Sequence, residues 1–179
     1  MKLLWVLLIF TSVMVHASTL SKAYYAGGCF WGVEYHLEKL KGVKEVHSGY
    51  MGGSVKNPTY EQVSNHSTGH LESVEVLYDP TIISYENLTK MFFEIHDPTQ
   101  KNGQGPDIGE QYQSAIFVNT YQERRTALSL IQQLRSNGFD VVTKVLPLST
   151  FYPAETYHQD YYVQHGKLPY CHSYVKRFR

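Results

Sequence analysis

The sequence predicts an α+β fold, a two-layer sandwich with a mixed sheet. Short apolar runs of strand length alternate with amphipathic helical stretches in the rough order βαββαβαβα. Several of these strands follow one another with no crossover helix, which argues against a doubly wound parallel sheet. The 179 residues suffice for one domain with a substantial core, and no repeat, low-complexity tract or linker marks a second one. The expected centre of the sandwich is a ferredoxin-like core.

The N-terminus stands apart. Met1-Lys2 precedes the apolar run Leu3 to Phe10, and small residues follow at Val15 and Ala17. This reads as a secretory signal over 1–17, cleaved after Ala17, so that 18–179 form the domain. The apolar run is shorter than the roughly 20 residues a span requires, although an uncleaved anchor is the alternative. The mature protein is expected to be exported, periplasmic or secreted.

Ala23-Tyr24-Tyr25-Ala26 reads as the first strand, and Phe30, Val33, Leu37 and Leu40 as one face of the first helix, closed by Gly42. Val43–Tyr50 is a strand, and Gly49–Gly53 a loop. Asn57-Pro58 suits a helix start, with Asn as cap and Pro at the first position. Leu71–Tyr78 is a strand ended by the turn Asp79-Pro80. Ser84 caps a helix whose stripe is Leu88, Met91, Phe92 and Ile95. Asp97 to Gln111 is a long polar loop rich in Gly and Pro, of a length that is usually functional or disordered. Tyr112–Val118 is a strand. Thr120-Tyr121-Gln122-Glu123 is a capping box opening a helix to about Asn137, with Leu128, Ile131 and Leu134 inward. Val141–Leu146 is a further strand. Phe151 to about Gly166 looks helical, with His158 and Tyr162 on one face.

Lys plus Arg and Asp plus Glu both number 16, so nothing favours nucleic acid or an acidic partner. Chemistry concentrates at Cys29. It sits where a strand turns into a helix, against unpaired backbone N–H groups and the positive end of the helix dipole. Both favour thiolate over thiol. Gly27 and Gly28 permit a tight turn and a close approach by another molecule. Phe30 and Trp31 place two rings beside the sulfur. Glu72 shares a strand face with Val74, Val76 and Tyr78. If that face is buried, the carboxyl is kept neutral and can donate a proton; in the other phase Glu72 is solvated. The only other cysteine is Cys171. In an exported protein two cysteines suggest one disulfide, permanent or cyclic.

Gly28-Cys29-Phe30-Trp31-Gly32 resembles the signature of the peptide methionine sulfoxide reductases that act on the S epimer. Gly49–Gly53, Pro58–Val63, Gly69-His70-Leu71-Glu72, Gly105–Tyr112 and Tyr152–Gln159 are similar to further segments of that family, in the same order. Gln113 departs from it, since the family usually has Arg there. The resemblance implies that Cys29 attacks the sulfoxide sulfur while Glu72 protonates the oxygen. Tyr60 and Tyr112 then orient that oxygen, Phe30 and Trp31 hold the methyl group, and Asp107 orders its loop or binds substrate backbone. It further implies a sulfenic acid on Cys29, resolved by Cys171 and reduced by thioredoxin or a similar thiol. The expected substrates are oxidised proteins and free methionine sulfoxide. No bound cofactor or metal is expected, and the protein is expected to be monomeric.

Other readings stay open at this level. One is a secreted binding module stapled by Cys29–Cys171. Another is a Cys–His hydrolase, with His158 or His70 as base. Zinc-like ligand spacing is absent from the sequence. Asn65-His66-Ser67 and Asn87-Leu88-Thr89 matter as glycosylation acceptors only in a eukaryotic secretory route.

Overall fold

The computed structural model describes residues 19–178, so the 1–17 signal lies outside the described residues. In chain order the elements are β1 (Ser21–Ala26), α1 (Phe30–Leu37), β2 (Val43–Met51), α2 (Tyr60–Ser64), β3 (Leu71–Tyr78), α3 (Tyr85–Ile95), β4 (Gly103–Gln104), β5 (Asp107–Ile108), β6 (Ala115–Val118), α4 (Tyr121–Ser136), β7 (Lys144–Pro147), β8 (Tyr152–Pro153) and α5 (Tyr161–His165). Single 3-10 turns at Glu110–Tyr112 and Thr156–His158 precede β6 and α5. Among the described residues no helix is long and apolar enough to cross a membrane.

Six strands form one mixed sheet in the order β7-β6-β1-β3-β2-β8. All neighbours are antiparallel except β6 and β7, which run parallel across the α4 crossover. The two outer strands, β7 and β8, are short and both end in proline. One face of the sheet carries the main core. Tyr25, Val74 and Val76 from the strands meet Phe30, Val33 and Leu37 of α1, Leu88 and Phe92 of α3, and Leu130 and Leu134 of α4. A smaller cluster of Ala26, Met51, Leu71, Ala115 and Phe117 covers the opposite face. The fold is α+β with a mixed sheet, as the sequence predicts.

Several elements differ in detail. α2 is capped by Thr59, whose hydroxyl and Gln62 form a capping box, and Asn57-Pro58 lie before it. Tyr112 closes a 3-10 turn instead of opening a strand, and β6 begins at Ala115. β7 begins at Lys144, where pairing with Ala115 starts. In α4 the capping box forms, but Leu128 is 45% exposed. The inward stripe is Ala127, Leu130, Ile131 and Leu134, so Ile131 and Leu134 point inward as expected and Leu128 does not. The stretch from Phe151 is not one helix. Tyr152–Pro153 pairs with Tyr50 and Gly49 of β2. The Gln159 side-chain amide then accepts from Ser48 N–H at 2.9 Å and donates to Ser48 C=O at 3.0 Å, acting as one more rung of that edge. Asp160 turns left-handed (φ 52°), and α5 starts after it, so His158 and Tyr162 share no helix face.

The long loop is ordered. β4 and β5 form a small hairpin inside it, with Gly103 opposite Ile108 and Gln104 opposite Asp107. Gln104 is buried and accepts from Asp97 N–H at 3.0 Å, while the Gln100 amide holds both polar groups of Gly105. Amide side chains replace the missing apolar contacts here.

Candidate active site

β1 ends in the middle of the sheet, and the chain turns through Gly27 and Gly28 into α1, with Cys29 as N-cap. Gly28 has φ +96°, and a Cβ there would lie 2.3 Å from Cβ of Gln104. One at Gly27 would lie 2.7 Å from the Phe92 ring. The glycines therefore admit the protein's own side chains, where the sequence led us to expect another molecule. Cys29 is only 7% exposed.

Glu72 is the second residue of β3 and points to the main core with Val74, Val76 and Tyr78. The buried phase is the real one: Glu72 is 2% exposed. Its carboxyl accepts from Phe30 N–H, the first amide of α1, at 3.1 Å. Burial raises its pKa to about 8, against the opposing pull of that N–H. At neutral pH it holds its proton.

Cys29 is not the thiolate that the helix start suggests. Contact with Cys171, burial and the nearby Glu72 push its thiol up, and a backbone N–H contact at Trp31 only partly offsets them. One amide of the helix end serves Glu72 instead. Cys171 approaches from the C-terminal tail. The sulfurs of Cys29 and Cys171 and a carboxylate oxygen of Asp107 lie within 4.8 Å of one another, and both thiols are free. Asp107, on β5, accepts from the Tyr170 hydroxyl at 3.1 Å, so it meets the tail. The two free thiols therefore face one another across a short gap.

Tyr60 stands in the first turn of α2, anchored by its N–H to Glu155 at 2.9 Å. Tyr112 ends the 3-10 turn before β6. Burial, then the Glu72 charge, and further down Cys29, raise the pKa of both phenols. Both tyrosines thus belong to the Cys29–Glu72 cluster and remain protonated donors. Phe30 is buried among Tyr50 and His158, on the core side. Trp31 lies at the rim, stacked 3.6 Å from Tyr161, and its Nε1–H donates to His158 Nδ1 at 3.1 Å. His70 is spent on Gly53 N–H and Val55 C=O, which leaves it no role as a base at Cys29.

Residues 21–179 match the family model described as peptide methionine sulfoxide reductase. The chain belongs to that family. The reductase is 48% identical over 150 residues to peptide methionine sulfoxide reductase MsrA of Nautilia profundicola, covering 84% of this chain and 87% of that one. Among solved structures it is similar to methionine sulfoxide reductase A of Corynebacterium diphtheriae, with 33% identity and a TM-score of 0.76 over 89% of this chain and 80% of that one. It is also similar to Mxr1 from Saccharomyces cerevisiae in reduced form, with 29% identity and a TM-score of 0.82 over 91% of this chain and 96% of that one. All eight residues expected at the site fall within the stretch matched to the family. The reductase is an oxidoreductase.

Sequence reasoning missed His172. Its Nδ1 lies 3.1 Å from Cys171 Sγ, and its Nε2 lies 2.7 Å from Gly27 C=O. The adjacent Cys-His pair was the available signal. Gln113, the departure from the family pattern, accepts from Lys144 Nζ at 2.8 Å, which supplies a local contact without Arg.

Proposed function

We propose that this reductase converts the S epimer of methionine sulfoxide, protein-bound or free, to methionine through a sulfenic acid on Cys29. The observation that carries this reading is the neutral, buried Glu72 carboxyl tied to the first amide of α1 beside the Cys29 sulfur. Glu72 gives its proton to the sulfoxide oxygen as the Cys29 sulfur attacks the sulfoxide sulfur. The oxygen passes to Cys29 as hydroxyl, and the thiol proton returns to Glu72. The products are methionine and Cys29–S–OH, so atoms and electrons balance. The Tyr60 and Tyr112 hydroxyls donate to the oxygen as its charge grows. The Trp31 face at the rim receives the substrate methyl group, with Phe30 behind it. Asp107 positions the substrate backbone once the Tyr170 hydroxyl gives way.

Cys171 then attacks Cys29–S–OH, forming the Cys29–Cys171 disulfide and releasing water. An external thioredoxin-like thiol restores both thiols, and no bound cofactor takes part. We further read residues 18–179 as one reductase domain acting after export, on the pattern of residues 1–17. Leaving aside the short α2 and the β4–β5 hairpin, the order β1-α1-β2-β3-α3-β6, with β6-β1-β3-β2 all antiparallel, supports a ferredoxin-like two-layer core.

The test offers each sulfoxide epimer separately to the protein with dithiothreitol and follows methionine by chromatography. Conversion of the S epimer alone, abolished in Cys29→Ser, is the expected result. Retained turnover in Cys29→Ser, or equal use of both epimers, overturns the reading.

A further inference from the structure

The C-terminal tail brings a second titratable group to the sulfur pair. His172 is 5% exposed and held at both ring nitrogens. Nε2 faces a carbonyl oxygen at 2.7 Å, that of Gly27 in the turn before Cys29, so it carries a hydrogen. In the neutral ring this leaves the lone pair on Nδ1, and Nδ1 faces Cys171 Sγ at 3.1 Å. The site is shaped for this ring. A Cβ on Gly32, the last glycine of the Cys29 motif, would lie 2.2 Å from His172 Nδ1.

We propose that His172 is a catalytic residue of the resolving step, the base that takes the thiol proton of Cys171 as its sulfur attacks Cys29–S–OH. The inference rests on the reading that Cys171 resolves the sulfenic acid. The S–H proton moves to Nδ1. The Cys171 sulfur forms the S–S bond as the S–OH bond breaks, and the departing hydroxide takes the proton from the imidazolium to leave as water. The Nε2–H bond to Gly27 C=O persists throughout and holds the ring in place.

The groups facing the pair are Cys29 at the N-cap of α1, Asp107 from β5, Tyr162 from α5, Tyr170 from the tail, His36 from α1, His96 at the end of α3, and Glu72 from β3. Burial pushes both His36 and His96 down. The Cys29 contact and, against burial, His172 draw the Cys171 thiol down to about 6. When Cys29 has become a sulfenic acid its thiol no longer helps, and His172 remains.

A lowered pKa yields more thiolate but a weaker nucleophile, so the two effects nearly cancel at neutral pH. The decisive readout is therefore the pH profile. Reduced protein is mixed with excess S-sulfoxide without reductant and quenched at intervals in acid. Methionine and the Cys29–Cys171 disulfide are then quantified, the latter by mass. His172→Gln keeps a donor for Gly27 C=O but has no base. Disulfide formation in this variant is expected to slow roughly tenfold at pH 6 and to converge with the unaltered protein slightly above neutral pH, the ordinary thiol pKa being about 8.5. An equal loss at every pH, or none, overturns the role of His172 and leaves that of Cys171 standing. Methionine release with no Cys29–Cys171 bond in the unaltered protein overturns the reading of Cys171 itself. A second measurement leaves position 172 intact. Alkylation of Cys171 by iodoacetamide in Cys29→Ser is expected to follow a thiolate titrating well below 8.5, and a midpoint at or above 8.5 overturns the proposal.

Discussion

The buried Glu72 carboxyl works against stability. Its folded pKa is about 8, against 4.5 for a free carboxyl. Between those values the native state binds a proton that the unfolded chain has released. Stability therefore falls as pH rises from about 4.5 to about 8, and levels off above. Glu34, raised to about 8 by burial and then by Asp160, adds to the same window. Glu72→Gln keeps an oxygen for Phe30 N–H and removes the charge. Urea unfolding at pH 5 and pH 8 is expected to show a smaller loss in the variant, the difference being on the order of several kcal/mol. In the same variant, methionine formation in a single turnover is expected to fall about 10²- to 10⁴-fold, the usual share of a general acid. The burial of Glu72 was legible because alternation along β3 allows only two phases, and one of them buries a carboxylate in an apolar row. The protonation of Cys29 was not legible. It is decided by Cys171, which no local pattern connects to it.

At the scale of elements, the turn before α1 is the most constrained segment. Gly28→Ala would force an L side chain into φ +96° and against Gln104. The expected cost is about 1–3 kcal/mol in urea unfolding, with slower methionine formation because Gln104 supports the β4–β5 hairpin that carries Asp107. Thr120→Ala tests a site with no chemistry. It removes the α4 cap whose hydroxyl accepts from Glu123 N–H at 3.1 Å, and stability is expected to fall by about 1 kcal/mol with turnover unchanged. The caps at Ser84 and Thr120 were readable because each is a local hydrogen-bond pattern. In the inward stripe of α4, Ile131 and Leu134 were read correctly and Leu128 was not, because it stands beside the apolar Ala127 and Leu130 that take the inward positions. The segment from Phe151 misled for a different reason. Its partners are the β2 edge and Ser48, which long-range pairing supplies and helical periodicity cannot reveal.

Across the whole molecule, the tail is held by polar contacts at the end of α3. Val175 N–H donates to Glu94 C=O at 2.7 Å, and the N–H groups of Arg177 and Phe178 donate to the Glu94 carboxylate at 3.0 and 3.3 Å. Glu94→Ala leaves two of these donors without a partner. The expected result is slower formation of the Cys29–Cys171 disulfide after sulfoxide is added, with the preceding release of methionine unaffected, both read from quenched samples by mass and chromatography. The tail has almost no regular structure and no hydrophobic period, so its path was not visible in the sequence, and the adjacent Cys171-His172 pair was the one signal it offered. The central strands were visible, since β1 and β6 carry apolar runs and β3 alternates apolar and polar residues.

The two outer strands carry a consequence for how such an enzyme survives its clients. A protein damaged by oxidation exposes extended segments that seek the open edge of any sheet. Here β7 and β8 are four and two residues long and each ends in proline, which has no N–H to offer a guest strand. A repair enzyme with such margins can handle misfolding polypeptides without being drawn into their aggregates.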